Sequence, residues 1–190
     1  MVANSEKPIL LFESVASWEQ WLDANVDHVG VRLKMRKKRS TAPGITYGEA
    51  LESALCFGWI DGQIYRLDDD YSLQVFTPRR PRSVWSQRNV GFIEELTAAG
   101  RMRPTGLAQV ERAKADGRWD AAYRQKGMVT PDDLQAALDA SPAASATYAA
   151  LSAQVRFGIV FRLNGVVRAE TRARKLDAFV EMLARGESPL

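Results

Sequence analysis

The sequence predicts an α+β fold, in which a small antiparallel sheet packs with helices in the N-terminal part and an all-helical C-terminal part follows. Residues 29–36 alternate strictly between apolar and mainly cationic side chains, which is typical of a half-buried strand. Residues 64–77 contain two further strand-like runs around a polar turn. After Gly127, aromatic residues become scarce and alanine dominates. We therefore predict an α+β domain over residues 1–126 and a helical domain over residues 127–190.

Composition and charge are those of an ordinary soluble globular protein. The chain has 190 residues, of which 46% are hydrophobic and 26% charged, and a formal net charge of +3. Its single cysteine, Cys56, excludes an intrachain disulfide, which suits a reducing cytoplasm. The first residues lack a signal-peptide pattern, and no apolar run approaches the ~20 residues of a membrane helix. We therefore expect a cytoplasmic protein that does not insert into a membrane.

Helix caps and side-chain alternation predict the first elements of the chain. Ser14 can cap a short helix that runs to Asp23. The strand over residues 29–36 directs its apolar side chains to one face and its cations to the other. Thr46 and Glu49 have the spacing of a capping box, so the next helix should begin there.

A hairpin is predicted over residues 64–77, with the three aspartates at 68–70 as its turn. Pro78 ends its second strand, because proline has no backbone N–H to donate to a sheet. The hairpin should therefore bring residues 55–62 close to residues 76–89.

Further helices are predicted from cap residues and from prolines in first turns. The predicted starts are Ser83 or Ser86, Pro104, Thr130 and Ser141-Pro142. At Thr130, the threonine is the predicted cap and Pro131 occupies the first helical position. The longest predicted helix spans residues 166–185.

A cluster of arginines and small polar residues follows the hairpin. It comprises Arg79, Arg80, Arg82 and Arg88 together with Ser83, Ser86 and Asn89. Guanidinium forks match carboxylate or phosphate groups, and a helix beginning at Ser86 would add backbone N–H groups aimed the same way. Trp59 or Trp85 would supply an apolar wall. The cluster predicts a pocket for a small anionic ligand. The alternative is that Ser86 only caps the helix and the arginines lie on a solvated edge.

Asp61 is the candidate catalytic residue. Its neighbours Trp59 and Ile60 should partly desolvate the carboxylate, which then needs a partner such as Arg79 or Arg80. Without a partner its pKa would rise, and it could act as a general acid or base. The alternatives are a buried ion pair and a turn or cap acceptor, and a tryptophan such as Trp59 is more often a core residue.

Other chemistries find little support in the sequence. A catalytic triad would have to use the sole histidine, His28, and nothing nearby supports one. Cys56 lies on an apolar helix face, where packing is expected rather than nucleophilic chemistry. No residues have metal-ligand spacing and no phosphate-loop or dinucleotide-binding pattern occurs, so we expect neither a metal nor a cofactor. The strand over residues 29–36 has cations without interleaved aromatic residues, so nucleic acid is not the expected partner.

Several segments resemble the YdeI/OmpD-associated family, also called bacteriocin-protection or OmdA-like proteins. They are Gly58-Trp59-Ile60-Asp61-Gly62, then Pro78-Arg79-Arg80 with Ser83, Trp85-Ser86 and Asn89, then residues 113–120, and finally Glu170-Thr171-Arg172-Ala173-Arg174. The resemblance implies a cytoplasmic bacterial protein with an α+β N-terminal part and a helical C-terminal part. It also implies an association with stress and the cell envelope, and brings no reaction with it. It favours a helix over residues 155–163, although their apolar residues alternate as in a strand.

Three functions are consistent with these observations. The first is a protein, enzymatic or not, that binds a small anionic ligand between residues 58–61 and 79–89. The second is an interaction module whose helical C-terminal part docks an envelope-related protein. The third is a weak nucleic-acid binder that uses the basic strand. We favour the first, with Asp61 as its candidate catalytic residue.

Overall fold

The computed structural model describes residues 3–124, 129–166 and 168–188, and the chain divides into two units. Unit 1 spans Met1–Tyr123 and unit 2 spans Arg124–Leu190. Within the described residues, unit 1 combines a four-stranded sheet with four α-helices, whereas unit 2 consists of four α-helices. The predicted α+β class with a helical C-terminal part is therefore confirmed.

The elements follow one another in this order. Unit 1 contains a short 3-10 helix (Asn4–Glu6), β1 (Ile9–Leu10), α1 (Val15–Ala24), β2 (Val31–Arg36), α2 (Tyr47–Cys56), β3 (Trp59–Arg66), β4 (Tyr71–Pro78), α3 (Gln87–Ala98) and α4 (Pro104–Ala115). Unit 2 contains α5 (Asp132–Asp139), α6 (Pro142–Ala150), α7 (Ala153–Asn164) and α8 (Ala169–Ala184). None of the helices in the described ranges has both the length and the apolar character to span a bilayer.

The sheet of unit 1 has the strand order β1-β2-β4-β3. The pairs β2–β4 and β4–β3 are antiparallel as predicted, but β1 pairs with β2 in parallel, so the sheet is mixed. In β2 the apolar residues Val31, Leu33 and Met35 are buried, and the cations between them are half-buried. The predicted alternation of this strand is confirmed.

Strand β3 begins at Trp59, whereas the sequence predicted a start at Ile64. The early part was missed because Gly62 is unfavourable inside a strand and the pairing register shifts between Asp61 and Ile64. Asp61 therefore lies within a strand, opposite Phe76 of β4. Its interpretation as a turn or cap acceptor is wrong.

The predicted caps of unit 1 form as expected. The hydroxyl of Ser14 accepts from the N–H of Ser17 at the start of α1, and Thr46 and Glu49 form the capping box of α2. Ser86, and not Ser83, begins α3. Local hydrogen bonds thus determine where these helices start.

Aromatic side chains form much of the core of unit 1. Trp18 is fully buried, and its ring centroid lies 5.8 Å from that of Phe76 and 5.5 Å from that of Trp21. The indole N–H of Trp18 donates to the carbonyl of Ala50, which joins α1 to α2. These contacts pack both helices against the sheet beside β3.

A close backbone approach joins α4 to the end of α2. A Cβ placed on Gly106 would lie 2.1 Å from the carbonyl oxygen of Cys56, closer than any side chain permits. The N–H of Arg103 also donates to that carbonyl, at 3.1 Å. Gly106 therefore allows α4 to sit directly on the last turn of α2.

Unit 2 has a core of its own. It is built from buried residues of all four helices: Leu134, Leu138, Ala144, Ile159, Val160, Leu163, Phe179 and Leu183. Helix α7 covers residues 155–163, so the predicted helix is confirmed there. The predicted cap at Thr130 is wrong, because Pro131 is the cap residue of α5 and the hydroxyl of Thr130 lies 3.2 Å from that of Tyr148.

Candidate functional site

The β3–β4 hairpin brings the two predicted site segments together. Trp59 pairs with Pro78 at one end of the ladder, and the N–H of Arg79 donates to the carbonyl of Gly58 at 3.0 Å. The backbone of both strands therefore fixes where the Arg79 side chain starts, immediately beyond the sheet. The convergence of the hairpin ends agrees with the prediction from the sequence.

Arg79 is the buried cation of this region, with 5% of its surface exposed. Its guanidinium carbon lies 3.5 Å from the ring centroid of Trp85, and Nη1 donates to the carbonyl of Val84 at 3.2 Å. Its Nε and Nη2 atoms are buried and have no hydrogen-bond partner. Loss of hydration lowers the pKa of Arg79 to about 10, and the charge of Asp61 opposes this change. Arg79 therefore remains cationic at neutral pH with two unused donors.

Trp85 lies against the guanidinium of Arg79 and adds a third unused donor. It is 2% exposed, and its indole Nε1 has no hydrogen-bond partner. The ring of Trp119 packs on it at 5.0 Å between centroids, and Nη1 of Arg118 donates to the carbonyl of Ser83 at 2.7 Å. Trp119 and Arg118 thus support the loop that carries Trp85, and neither was predicted as a site residue.

The hydroxyls of Ser83 and Ser86 accept from backbone N–H groups, and the donor to Ser86 is the N–H of Asn89. The hydroxyl of Ser83 accepts from a backbone N–H three residues earlier at 2.9 Å, which closes a turn. The hydroxyl of Ser86 accepts from the N–H of Asn89 at 3.2 Å, and the N–H of Gln87 donates to the carbonyl of Tyr123 at 2.9 Å. These N–H groups at the start of α3 are therefore not free for an anion, and Ser86 is a helix cap.

Asp61 contacts a tyrosine rather than an arginine. The hydroxyl of Tyr47 donates to Oδ2 of Asp61 at 2.8 Å, and Nη1 of Arg88 donates to that hydroxyl at 3.4 Å. Asp61 takes part in none of the ion pairs of the described residues, so the predicted pairing with Arg79 or Arg80 is wrong. Burial raises the pKa of Tyr47 to about 12, and the charge of Asp61 acts in the same direction.

Tyr123 completes the surroundings of Arg79. Its N–H donates to the carbonyl of Trp85 at 3.0 Å. Burial raises the pKa of Tyr123, the charge of Asp61 adds to the rise and the charge of Arg79 opposes it. Asp61, Arg79 and Tyr123 therefore lie within electrostatic reach of one another.

Only one arginine of the predicted cluster is buried. The others, Arg80, Arg82 and Arg88, are exposed. Trp59 is 1% exposed and meets the ring of Trp21 edge-on at 5.7 Å between centroids, so it is a core residue. The apolar wall beside Arg79 is accordingly Trp85.

The remaining reactive residues take structural roles. Cys56 is buried, and loss of hydration raises the pKa of its thiol to about 11. Nδ1 of His28 accepts from the N–H of Gly30 at 3.1 Å. The described ranges contain no group of three or more His, Cys, Asp or Glu side chains that would hold a metal ion.

The cations of β2 are engaged within unit 1. Nε of Arg32 donates to the carbonyl of Lys7 at 2.9 Å, and Nε of Arg36 donates to that of Gly44 at 3.0 Å. The ammonium of Lys34 lies 5.5 Å from the ring centroid of Tyr71. These contacts hold the three cationic side chains against unit 1, although their charges are kept.

These features define an α+β protein with a buried arginine stacked on a tryptophan, followed by a helical unit. Residues 10–109 match a family model described as Domain of unknown function (DUF8412). This match covers more than half of the chain, which therefore belongs to that family.

The helical unit has a family match of its own. Residues 128–186 match the model described as Bacteriocin-protection, YdeI or OmpD-Associated, which confirms the family resemblance noted in the sequence. The motifs at residues 58–62 and 78–89 lie instead in the region matched by the model of unknown function.

Among curated proteins, the chain is similar to a threonine–tRNA ligase of Myxococcus xanthus (strain DK1622). The two are 28% identical over 121 residues, which covers 57% of this chain and 19% of the ligase. The chain thus spans about a fifth of the length of that relative. No solved structure matches the chain.

Proposed function

We propose that unit 1 binds a small anionic ligand, a carboxylate or a phosphate, at Arg79. The observation that carries this proposal is a guanidinium 95% buried in which Nε and Nη2 have no partner. A buried donor without a partner costs about 1–3 kcal/mol, and more when it is charged. A ligand oxygen that accepts from these atoms removes that cost and neutralises the charge.

The geometry of Arg79 suits a forked acceptor. Nε and one Nη of a guanidinium lie side by side in one plane, so two oxygens of a carboxylate or phosphate can accept from both. The third unused donor, Nε1 of Trp85, belongs to the ring on which the guanidinium stacks. The ligand that fits these donors carries at least two acceptor oxygens.

We further propose the bacterial cytoplasm as the setting, with a role in stress or envelope protection. The support is the description of the family matched by residues 128–186, which refers to bacteriocin protection and to association with OmpD. A single buried free thiol is also compatible with a reducing compartment.

The indole N–H resonance of Trp85 in ¹H–¹⁵N NMR spectra tests the anion site. Acetate and inorganic phosphate are titrated at constant ionic strength into the full chain, and Trp85→Phe assigns the resonance. We expect a saturable shift in the wild type that Arg79→Met abolishes. Arg80→Met is the matched control, because Arg80 is the exposed neighbour and loses the same charge.

Two results would overturn the anion proposal. One is a Trp85 resonance that does not move at 50 mM of either anion in the folded wild type. The other is an equal response in Arg79→Met, which would place the anion elsewhere. Buried water would then be the partner of the unused donors.

An interaction module is the second candidate function. Helix α7 borders a pocket of about 390 Å³ that is lined by Val155, Gly158, Arg162 and neighbouring residues. The pocket lies in unit 2, which contains the whole region matched by the OmpD-associated model. An envelope-related protein is the proposed partner, and Gly158→Arg should weaken its capture by affinity-tagged protein while Arg79→Met should not.

Weak nucleic-acid binding is the third candidate, and its support is the similarity to a segment of a threonine–tRNA ligase, an enzyme that acts on tRNA. Binding through β2 would be sensitive to salt and would weaken when Arg32, Lys34 and Arg36 are neutralised together. A gel-shift assay with unfractionated tRNA at 50 and 200 mM salt tests it.

A further inference from the structure

A pocket of about 430 Å³ opens between α3 and α4 of unit 1. Both helices pack on α2, and the pocket between them is lined by Ile93 of α3 and by Leu107 and Val110 of α4. Its volume lies within the range of roughly 300–1,000 Å³ that small-molecule sites occupy. Neither Arg79 nor Trp85 lines this pocket, so it is separate from the anion site proposed above.

Trp119 adds an aromatic surface to the pocket lining. Its N–H donates to the carbonyl of Ala113 at 3.0 Å, which fixes the residue just beyond the end of α4. The side chain is half-buried, and the ring packs on that of Trp85 at 5.0 Å between centroids. The pocket therefore offers a rigid aromatic ring together with aliphatic side chains to the apolar part of a ligand.

The charged side chains of the lining leave one negative charge without a partner. Nζ of Lys114 lies 3.6 Å from Oε1 of Glu111 and 5.6 Å from the ring centroid of Trp119, so these two opposite charges compensate each other. Glu94 takes part in none of the ion pairs of the described residues. The pocket is therefore complementary to a ligand with a single positive charge.

Thr97 adds a second acceptor beside Glu94. The two residues are three positions apart on α3, so they share one face of that helix, and both line the pocket. The hydroxyl of Thr97 donates to the carbonyl of Ile93 at 2.6 Å, which uses its hydrogen and leaves its oxygen to accept. A carboxylate also only accepts, so α3 offers acceptors to a donor group of the ligand.

We propose that this pocket binds a hydrophobic monoamine, a small molecule with an apolar body and one ammonium group. The body packs on the aliphatic side chains and on Trp119, and the ammonium group donates to Glu94 and Thr97. A negative group on the ligand would meet Glu94 instead, and a second positive group would meet Lys114. The inference concerns a second site and does not depend on the anion site.

The test compares ligands that share an apolar body or an ammonium group. Phenethylamine, phenethyl alcohol and ethylamine are titrated into the full chain at pH 7 and constant ionic strength, where both amines are charged. The readout is the indole N–H resonance of Trp119 in ¹H–¹⁵N NMR spectra, assigned with Trp119→Phe.

We expect phenethylamine to shift the Trp119 resonance in a saturable way. It should bind about twofold to fivefold more tightly than phenethyl alcohol, which is the range for a pair with an exposed carboxylate such as that of Glu94. Ethylamine should not saturate the pocket at 50 mM, because it lacks the apolar body that supplies most of the affinity.

Glu94→Gln is the variant that isolates the ammonium contact. We expect phenethylamine to fall to the affinity of phenethyl alcohol, whose own affinity stays the same. Glu95→Gln is the matched control, because Glu95 is exposed, loses the same charge and does not line the pocket.

Filling the pocket gives a second, independent variant. Ala98 lines the pocket, so Ala98→Phe should abolish the response to both phenethyl ligands, whereas Ala99→Phe at the exposed next position should preserve it.

Four results would each overturn the inference. The Trp119 resonance of the folded wild type does not move with phenethylamine at 50 mM, or phenethyl alcohol binds the wild type as tightly as phenethylamine does. Alternatively, Glu95→Gln weakens phenethylamine as much as Glu94→Gln does, or Ala98→Phe leaves its binding unchanged. The anion site is tested separately by acetate and the Trp85 resonance, so either proposal can fail while the other stands.

Discussion

At the scale of single residues, Arg79 is a buried cation whose main partner is an aromatic ring. A buried charge usually pairs with an opposite charge, because desolvation costs several kcal/mol per ion. Here Asp61, whose charge acts on Arg79, is hydrogen-bonded to Tyr47, and Trp85 covers one face of the guanidinium. Such an arrangement is poor for stability but suitable for a ligand, since part of the desolvation is complete before the ligand arrives.

The first prediction concerns the stability of Arg79→Met. An apolar side chain of similar length removes two unsatisfied donors and a buried charge, while it forfeits the stacking on Trp85 and one hydrogen bond. We expect the free energy of unfolding to stay within about 1 kcal/mol of the wild type or to rise. Urea unfolding followed by tryptophan fluorescence measures it. A loss above about 3 kcal/mol would show that Arg79 is mainly a structural residue.

The second prediction concerns the alkaline stability that Tyr47 contributes. Its pKa is raised from about 10 to about 12 in the folded protein, so folding favours the neutral phenol. This contribution is complete below about pH 10, the unfolded pKa, and is lost as the pH rises towards 12. We expect Tyr47→Phe to lose less stability than the wild type between pH 9 and pH 11.5, measured by urea unfolding. Tyr65→Phe is the control, because the Tyr65 hydroxyl donates to the amide oxygen of Gln63 and not to a carboxylate, and this variant should behave as the wild type does.

At the scale of elements, most helices of the chain follow from local signals. Ser14, Thr46 and Ser86 act as caps, and prolines open α4 and α6. The start of β3 could not be predicted from local signals, because Gly62 and a register shift obscure the alternation of that strand. The partner of Asp61 was also missed. It depends on how α2 packs on the sheet, and no local pattern encodes that.

The predicted site shows the same division between local and tertiary information. The approach of Arg79 to the end of β3 follows from hairpin geometry and was predictable. The burial of Arg79 alone among four nearby arginines was not, because it depends on Trp119 and Arg118 fixing the loop before α3. The residue types in the sequence therefore predicted the location of the site better than they predicted the side chains that form it.

The third prediction tests the packing of α4 on α2. In Gly106→Ala the new methyl group would lie 2.1 Å from the carbonyl of Cys56, so a helix must move. We expect a loss of about 3 kcal/mol or more in the free energy of unfolding. Gly91→Ala is the control, because Gly91 lies inside α3 with nothing within 4 Å of its Cβ position. That variant should gain about 0.5–1 kcal/mol from helix propensity, and equal losses in both would contradict the packing argument.

At the scale of the whole molecule, the chain carries two separate hydrophobic cores. All five tryptophans, at positions 18, 21, 59, 85 and 119, lie in unit 1, and the described part of unit 2 is helical. Tryptophan fluorescence therefore reports unit 1, whereas circular dichroism at 222 nm reports the helices of both units. The two signals separate the stabilities of the units without any label.

The fourth prediction uses this separation. Leu134 is fully buried in the core of unit 2, and Leu134→Ala should destabilise that core by about 2–5 kcal/mol. We expect the variant to unfold in part at lower urea by circular dichroism, while the fluorescence transition keeps its midpoint. Val110→Ala in unit 1 should move the fluorescence transition instead. A shift of both signals by Leu134→Ala would contradict independent cores.

The position of Cys56 has a kinetic consequence. The thiol is buried, its pKa is about 11, and α4 sits on the carbonyl of the same residue. A thiol reagent at neutral pH can modify this single site only while unit 1 is open. In the regime where modification is faster than closing, the rate of labelling equals the opening rate of the helix contact. The thiol of Cys56 is therefore a natural probe of local opening in unit 1. Ligand binding beside β3 should slow the reaction of this thiol with the reagent.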